Sequence, residues 1–77
     1  MSIRDILARN LRIYRQARGL SQEELAHRAC VDRTYISSIE RCQYAASIDV
    51  LERLARELEV SASALLEETS PEAPSRK

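Results

Sequence analysis

Apolar residues recur at every third or fourth position along most of this 77-residue chain, and this spacing constrains the fold more than any other feature. The period matches one face of an α-helix, and no segment alternates apolar and polar residues as a half-buried strand would. The first helix is predicted from Ile3 to Arg18, followed by Gly19, the only glycine, in a position suited to a helix end. Four large residues share its inward face: Ile3, Leu7, Leu11 and Tyr14. We therefore expect an all-α fold.

Two short helices follow in close succession. The pattern SQEE at residues 21–24 is a capping box, which predicts that helix 2 covers Gln22–Ala29. Asp32 is a suitable N-cap for helix 3, predicted at Arg33–Arg41. Only residues 30–32 separate the two helices, and a connection this short is typical of a helix-turn-helix unit.

The rest of the chain is expected to complete one small domain. Ser47 and Ser61 are N-caps for a fourth and a fifth helix. Residues 69–77 contain two prolines and no large apolar group, so we expect a domain over residues 1–68 and a disordered tail. No apolar run approaches the roughly 20 residues of a membrane span, and the N-terminus lacks the apolar stretch of a signal peptide. A cytoplasmic location is therefore expected.

Charge and reactive groups narrow the classes of function. Residues 1–44 hold eight basic against five acidic residues (+3), and residues 45–77 hold four against seven (−3), so an anionic partner would face the first half. One His, one Gly and no phosphate-binding loop provide no catalytic constellation, and we expect neither an enzyme nor a cofactor. His27, Cys30 and Cys42 lack a CxxC pair and a fourth ligand, so we expect free thiols and no metal site.

Helix 3 has two chemically different faces. Ile36, Ile39 and Glu40 lie on one side of the helical wheel and are predicted to point inward. The other side is wholly polar and has Arg33 at its start, where a guanidinium can bind O6 and N7 of guanine. Any short surface helix also has a polar outer face, so helix 3 alone is equally consistent with a face that only meets water.

Three motifs occur in order along the chain: R-x-x-x-G-L-S-Q-x-x-L-A, I-x-x-I-E and L-x-x-L-A-x-x-L-x-V-S. Together they resemble the Cro/C1-type helix-turn-helix family of bacterial and phage DNA-binding regulators. The stretch D-R-T-Y-I-S-x-I-E-R is most similar to the controller proteins of restriction–modification systems. The resemblance implies a compact five-helix bundle of the lambda-repressor-like type that binds double-stranded DNA as a homodimer.

The same resemblance implies roles for individual residues. Arg15 is expected to pair with Glu40 and brace helix 1 against helix 3, with phosphate as a second partner for Arg15. The implied base-contacting residues are Arg33, Thr34 and Ser38, with Tyr35 and Ser37 beside them. The implied phosphate-contacting residues are Gln22, Arg41, Gln43 and Tyr44. The implied dimer contacts, which could instead complete the monomer core, are Val60, Leu65 and Leu66.

The chain departs from the family pattern in two loops. Cys30 and Cys42 stand where the family usually has glycine, and a left-handed conformation costs a non-glycine residue on the order of 1 kcal/mol. Both loops are therefore expected to be reshaped or slightly strained. Gln43 and Ala46 replace a common Lys and Pro, which weakens the expected phosphate contacts.

These features predict a transcriptional regulator that binds a near-palindromic operator as a homodimer, without a small-molecule ligand or a membrane partner. Control through the protein's own concentration, as in autoregulation, is expected, and a restriction–modification controller is one form of it. The alternative is a protein-interaction module, such as an antitoxin whose helical bundle binds a partner protein. A third hypothesis, an enzyme fragment, lacks catalytic groups in the sequence.

Overall fold

The computed structural model describes residues 2–68, which form five α-helices and no strand. In chain order these are α1 (Ile3–Ala17), α2 (Gln22–Ala29), α3 (Arg33–Glu40), α4 (Ile48–Leu58) and α5 (Ala62–Leu65). The predicted all-α, five-helix fold is confirmed. Helices α1 and α3 each end one residue earlier than predicted, because Arg18 and Arg41 are C-caps. The predicted disordered tail, residues 69–77, lies outside the described residues, so the domain boundary stays a prediction.

Serine side chains start three of the helices as predicted. Each hydroxyl accepts a hydrogen bond of 3.0–3.1 Å from the backbone N–H three residues later, at Ser21, Ser47 and Ser61. The reciprocal half of the capping box at α2 does not form, because Glu24 instead contacts Arg28 one turn further on, at 3.4 Å. Asp32 occupies the N-cap of α3 as predicted, and its backbone carbonyl accepts hydrogen bonds from the first turn, while its side chain makes no capping hydrogen bond.

Aliphatic side chains from all five helices form one core. Helix α3 packs against α1 and α2, α4 packs against α2 and α5, and α5 returns to α1. Burial of each large aliphatic side chain contributes roughly 1.5–3 kcal/mol, which offsets the absence of Phe and Trp. The fully buried side chains are Leu11, Leu25, Ile36, Ile39, Leu54, Leu58 and Leu65. The inward face predicted for the third helix is confirmed, since Ile36, Ile39 and Glu40 are buried.

The inward face predicted for the first helix is correct in its middle and wrong at its start. Leu7 and Leu11 are buried, whereas Ile3 is 55% exposed. Ile6 and Asn10, one turn apart, join the buried stripe. Ile3 lies on the same side of α1 as these residues, so its exposure comes from its place at the first helical position and not from the side it faces.

Asn10 connects α1 to the last helix, and nothing in the sequence analysis predicted this contact. Its amide Nδ2 donates to the backbone carbonyls of Leu65, at 3.0 Å, and Glu67, at 2.8 Å. The last carbonyls of any helix lack partners within the helix. Asn10 supplies partners for α5, which has only four residues, and so fixes the C-terminal end of the domain against α1.

Both cysteine loops keep the left-handed turn. The backbone φ angle is 60° at Cys30 and 61° at Cys42. Of the two outcomes expected for these loops, the structure therefore has strain without a change of shape. Glu59, at the end of α4, also has a φ of 61°, which the sequence analysis did not predict.

Candidate nucleic-acid interface

Helix α3 is fixed in the core by one face and presents polar groups on the other. Ile36 and Ile39 are 0% and 1% exposed, so the helix cannot rotate about its axis without uncovering them. Arg33 and Thr34 are exposed, and the other three residues of the predicted base-contacting set are half-buried: Tyr35, Ser37 and Ser38. The five predicted base-contacting side chains therefore all lie at least partly open to solvent on one short helix.

The carboxylate of Glu40, at the end of α3, is the centre of a buried polar cluster. The Arg15 guanidinium donates to it from Nε at 2.7 Å and from Nη2 at 3.0 Å, the paired geometry expected for arginine and carboxylate. The side chains of Glu40 and Arg15 are 2% and 12% exposed. Gln22 Nε2, from the first turn of α2, also donates to Glu40, at 3.1 Å. One carboxylate thus joins the three helices α1, α2 and α3.

Arg12 is a second cation at this cluster. Its Nη2 donates to the backbone carbonyl of Glu40 at 3.2 Å, and its Nε lies 3.7 Å from the Glu40 carboxylate. Arg12 was not among the predicted contacts of Glu40. Its spacing from Arg15 could have predicted it, because residues three apart lie on the same side of a helix and Arg12 precedes Arg15 by three.

The segment after α3 folds back along that helix. The backbone N–H of Gln43 donates to the Ser38 carbonyl at 2.8 Å, and Arg41 Nη2 donates to the Gln43 side-chain oxygen at 3.1 Å. Arg41, Gln43 and Tyr44 are all exposed. The structure therefore brings the predicted phosphate-contacting segment beside the predicted base-contacting helix.

Tyr35 and Tyr44 connect that segment to α3 directly. The Tyr35 hydroxyl donates to the Tyr44 hydroxyl at 3.0 Å, and the ring centroids are 4.7 Å apart with an interplanar angle of 48°. The pKa of Tyr35 is raised above its usual value, mainly by the hydrogen bond to Tyr44 and to a smaller extent by desolvation. This contact holds Tyr35 toward the loop.

Cys42 contacts the N-terminal turn of α1. Its thiol donates to the Asp5 carboxylate at 3.2 Å. This hydrogen bond, with others from Ser2, lowers the pKa of Asp5, while the same carboxylate raises the pKa of Cys42. Within residues 2–68, no group of His, Cys, Asp and Glu side chains is arranged to hold a metal ion.

The three predicted dimer contacts lie in different environments. Leu65 is fully buried in the monomer, the alternative that the sequence left open, whereas Val60 and Leu66 are half-buried at the edge of the core. Ile48, at the start of α4, is 83% exposed and was not predicted as a surface residue. None of the described helices is long and apolar enough to cross a membrane.

Most of this chain is similar in sequence to known proteins. It is 42% identical over 64 residues to a Neisseria meningitidis serogroup B protein named as a hypothetical transcription factor, covering 83% of this chain and 60% of that protein. It is 44% identical over 66 residues to the control protein C.SmaI of Serratia marcescens, covering 86% of this chain and 79% of that protein. The chain thus spans less than two thirds of the Neisseria relative.

A solved structure shares the arrangement of the helices. The N-terminal DNA-binding domain of SinR from Bacillus subtilis matches with a TM-score of 0.79 and 38% identity, covering 83% of this chain and 94% of that chain. Residues 11–65, which include the whole of α2, α3 and α4, match the helix-turn-helix family HTH_3. The chain belongs to this family of Cro/C1-type helix-turn-helix proteins.

Proposed function

We propose that the chain is a sequence-specific DNA-binding transcription regulator that inserts α3 into the major groove. The observation that carries this proposal is the division of α3 between a buried face, Ile36 and Ile39, and an exposed start, Arg33 and Thr34. A helix anchored in this way can present hydrogen-bonding groups to base edges in a fixed register. Membership of the helix-turn-helix family supports the same proposal.

Arg33 is the proposed principal base contact. Its exposed guanidinium can donate to both O6 and N7 of one guanine, a contact worth about 1–3 kcal/mol of discrimination. The hydroxyls of Thr34 and Ser38 can donate or accept and would suit either kind of base edge. Tyr35 and Ser37 flank these positions as secondary contacts.

Phosphate contacts are proposed on both sides of α3. Gln22 lies in the first turn of α2, where free backbone N–H groups and the helix dipole favour an anion. Arg41 and Gln43 bind each other in the free protein, and both side chains are exposed and could exchange that contact for phosphate oxygens. Tyr44 completes the proposed set.

The regulator is proposed to act as a homodimer on a near-palindromic operator. One domain of this size offers roughly 600–1,000 Å² of DNA interface, and two copies supply the specificity that one lacks. Val60, Leu66 and the strongly exposed Ile48 are the proposed dimer contacts. Autoregulation through protein concentration in the cytoplasm, where the DNA lies, fits a chain of this kind, and similarity to the control protein C.SmaI supports a restriction–modification controller.

Two measurements test the proposal. Affinity for random duplexes should fall steeply with salt, because phosphate contacts release counterions, and an in vitro selection should return a near-palindromic site. Arg33→Ala should relax the preference at one base pair in each half-site. Affinity that does not change with salt would contradict DNA binding, and an equal loss on all sequences would show that Arg33 touches only phosphate.

The second candidate function is binding of a partner protein, as in an antitoxin. The exposed Ile48 and the excess of acidic residues in residues 45–77 favour it. Binding of a partner protein is compatible with DNA binding. Of the two, only the contact with the partner protein would persist in high salt.

A further inference from the structure

We propose that Arg12, on α1 and outside the helix-turn-helix, is a phosphate-binding residue of this protein, an inference that rests on the proposed DNA-binding function. The Arg12 side chain is 53% exposed, whereas that of Arg15, its neighbour at the Glu40 cluster, is 12% exposed. The Arg12 side chain is therefore much more accessible to solvent than that of its neighbour.

The charge of the cluster leaves Arg12 available. Glu40 carries one negative charge and receives two short hydrogen bonds from Arg15, at 2.7 and 3.0 Å, and a third from Gln22, at 3.1 Å. The contact of Arg12 with the same carboxylate is longer, at 3.7 Å. Two guanidiniums and one carboxylate have a net charge of +1, and Arg15 alone neutralises Glu40. The excess cation is the exposed one.

Arg12 also lies between the two segments that are proposed to bind phosphate. It approaches the same carboxylate oxygen, Glu40 Oε1, as Gln22 does, which places it beside the start of α2. Its hydrogen bond to the Glu40 carbonyl places it beside Arg41 at the end of α3. A phosphate that reached Gln22 or Arg41 would enter the field of Arg12 as well, and long-range attraction adds to any direct contact.

Exchange of partners would leave the fold intact. If Arg12 moved from the Glu40 carbonyl to a phosphate oxygen, Glu40 would still receive two hydrogen bonds from Arg15. The competing role for Arg12 is purely structural, as a cation at the C-terminal end of α3. The two roles differ in what they change: a cap changes stability, whereas a phosphate contact changes the salt dependence of DNA binding.

The test is the slope of log K against log salt for the full chain carrying Arg12→Gln, measured by fluorescence anisotropy on a selected operator and on a random duplex. Loss of one phosphate contact should lower the steepness by about 0.9 per protomer, with equal loss on both duplexes. Arg12→Lys keeps the charge and should restore most of the slope. Arg56→Gln is the matched control, since Arg56 is an exposed arginine paired with Glu52 on α4.

Three results would overturn the inference. An unchanged slope for Arg12→Gln, beside a steep slope for the unsubstituted protein, would do so and leave DNA binding standing. A fall in melting temperature with an unchanged slope would assign Arg12 to capping α3. A flat slope for the unsubstituted protein would remove the proposed function and this inference together.

Discussion

At the scale of single residues, Cys42 shows two small opposing effects on stability. Its φ of 61° lies in the left-handed region, which costs a non-glycine residue about 1–2 kcal/mol. Its thiol donates to Asp5 at 3.2 Å in an exposed position, and a hydrogen bond contributes about 0.5–1.5 kcal/mol at most sites and less where water competes. Glycine would remove the strain and the hydrogen bond together.

We therefore expect Cys42→Gly to melt at the same temperature as the unsubstituted domain or slightly higher. Cys42→Ala is the matched control, because it removes the thiol and keeps the strained backbone, and it should melt below Cys42→Gly. Thermal unfolding followed by circular dichroism at pH 7 gives both values. A glycine variant that melts below the alanine variant would show that glycine's flexibility in the unfolded chain outweighs the strain.

Tyr44→Phe should lower the pH at which Tyr35 ionises. The hydroxyl of Tyr44 raises the pKa of Tyr35 by accepting its hydrogen bond, and a phenylalanine ring keeps the contact between rings without that acceptor. Tyrosinate absorbance against pH measures the shift. Tyr14→Phe serves as control and should leave the Tyr35 midpoint in place. A Tyr35 midpoint unchanged by Tyr44→Phe would mean that the hydroxyl contact does not persist in solution.

At the scale of helices, the Glu40 carboxylate decides how α3 is held. It lies at the end of α3 and binds side chains from α1 and α2. This buried charge on the inner side of α3 therefore fixes the direction in which the polar outer face points. A buried ion pair contributes little net stability relative to apolar packing, but the loss of one partner leaves an uncompensated charge. Its main effect is therefore on the orientation of α3.

Glu40→Gln should lower the free energy of unfolding by about 3 kcal/mol, because Arg15 would keep its charge in a site that is 12% exposed. Urea unfolding at pH 7 measures the loss. Glu52→Gln, which breaks an exposed pair on α4, should cost below about 0.5 kcal/mol. Joining Arg15→Met to Glu40→Gln should recover part of the stability. Equal losses for Glu40→Gln and Glu52→Gln would contradict a charge held out of water.

At the scale of the whole molecule, the described residues measure 33 × 24 × 19 Å. The longest of these dimensions does not exceed the roughly 34 Å length of one turn of DNA. A single copy can therefore place α3 in only one major groove. Recognition helices of a two-fold dimer meet successive grooves about 34 Å apart. The surface that sets this distance is the proposed contact of Ile48, Val60 and Leu66.

Operator spacing tests the dimer directly. Insertion of about five base pairs between the half-sites would turn them to opposite faces of the duplex, and insertion of about ten would return them to one face. We expect the affinity for both inserted operators to fall to that of one half-site, because a compact dimer cannot stretch to reach the second. Ile48→Asp should cause the same loss of affinity for the native operator. Sedimentation should show that this variant is a monomer. Full affinity on both inserted operators would mean that the copies bind independently.

Much of this architecture follows from local sequence. Serine caps, the spacing of leucines and the short turn between α2 and α3 predict elements because their causes lie within a few residues. Ile3 shows where such patterns fail, since it lies on the buried side of α1 but, as the first residue of the helix, is 55% exposed. Asp32 is the N-cap of α3 as its residue type predicts, although its side chain makes no capping hydrogen bond.

The sequence by itself determined the helices, the helix-turn-helix and the side of α3 that carries Arg33 and Thr34, because helical periodicity is a local property. Only the tertiary structure decided how distant groups meet. It placed Arg12 and Gln22 on the carboxylate of Glu40, Asn10 on the carbonyls of Leu65 and Glu67, and Tyr44 on Tyr35. Those contacts join residues far apart in the chain, and their partners are chosen by how the helices pack rather than by any spacing that the sequence displays.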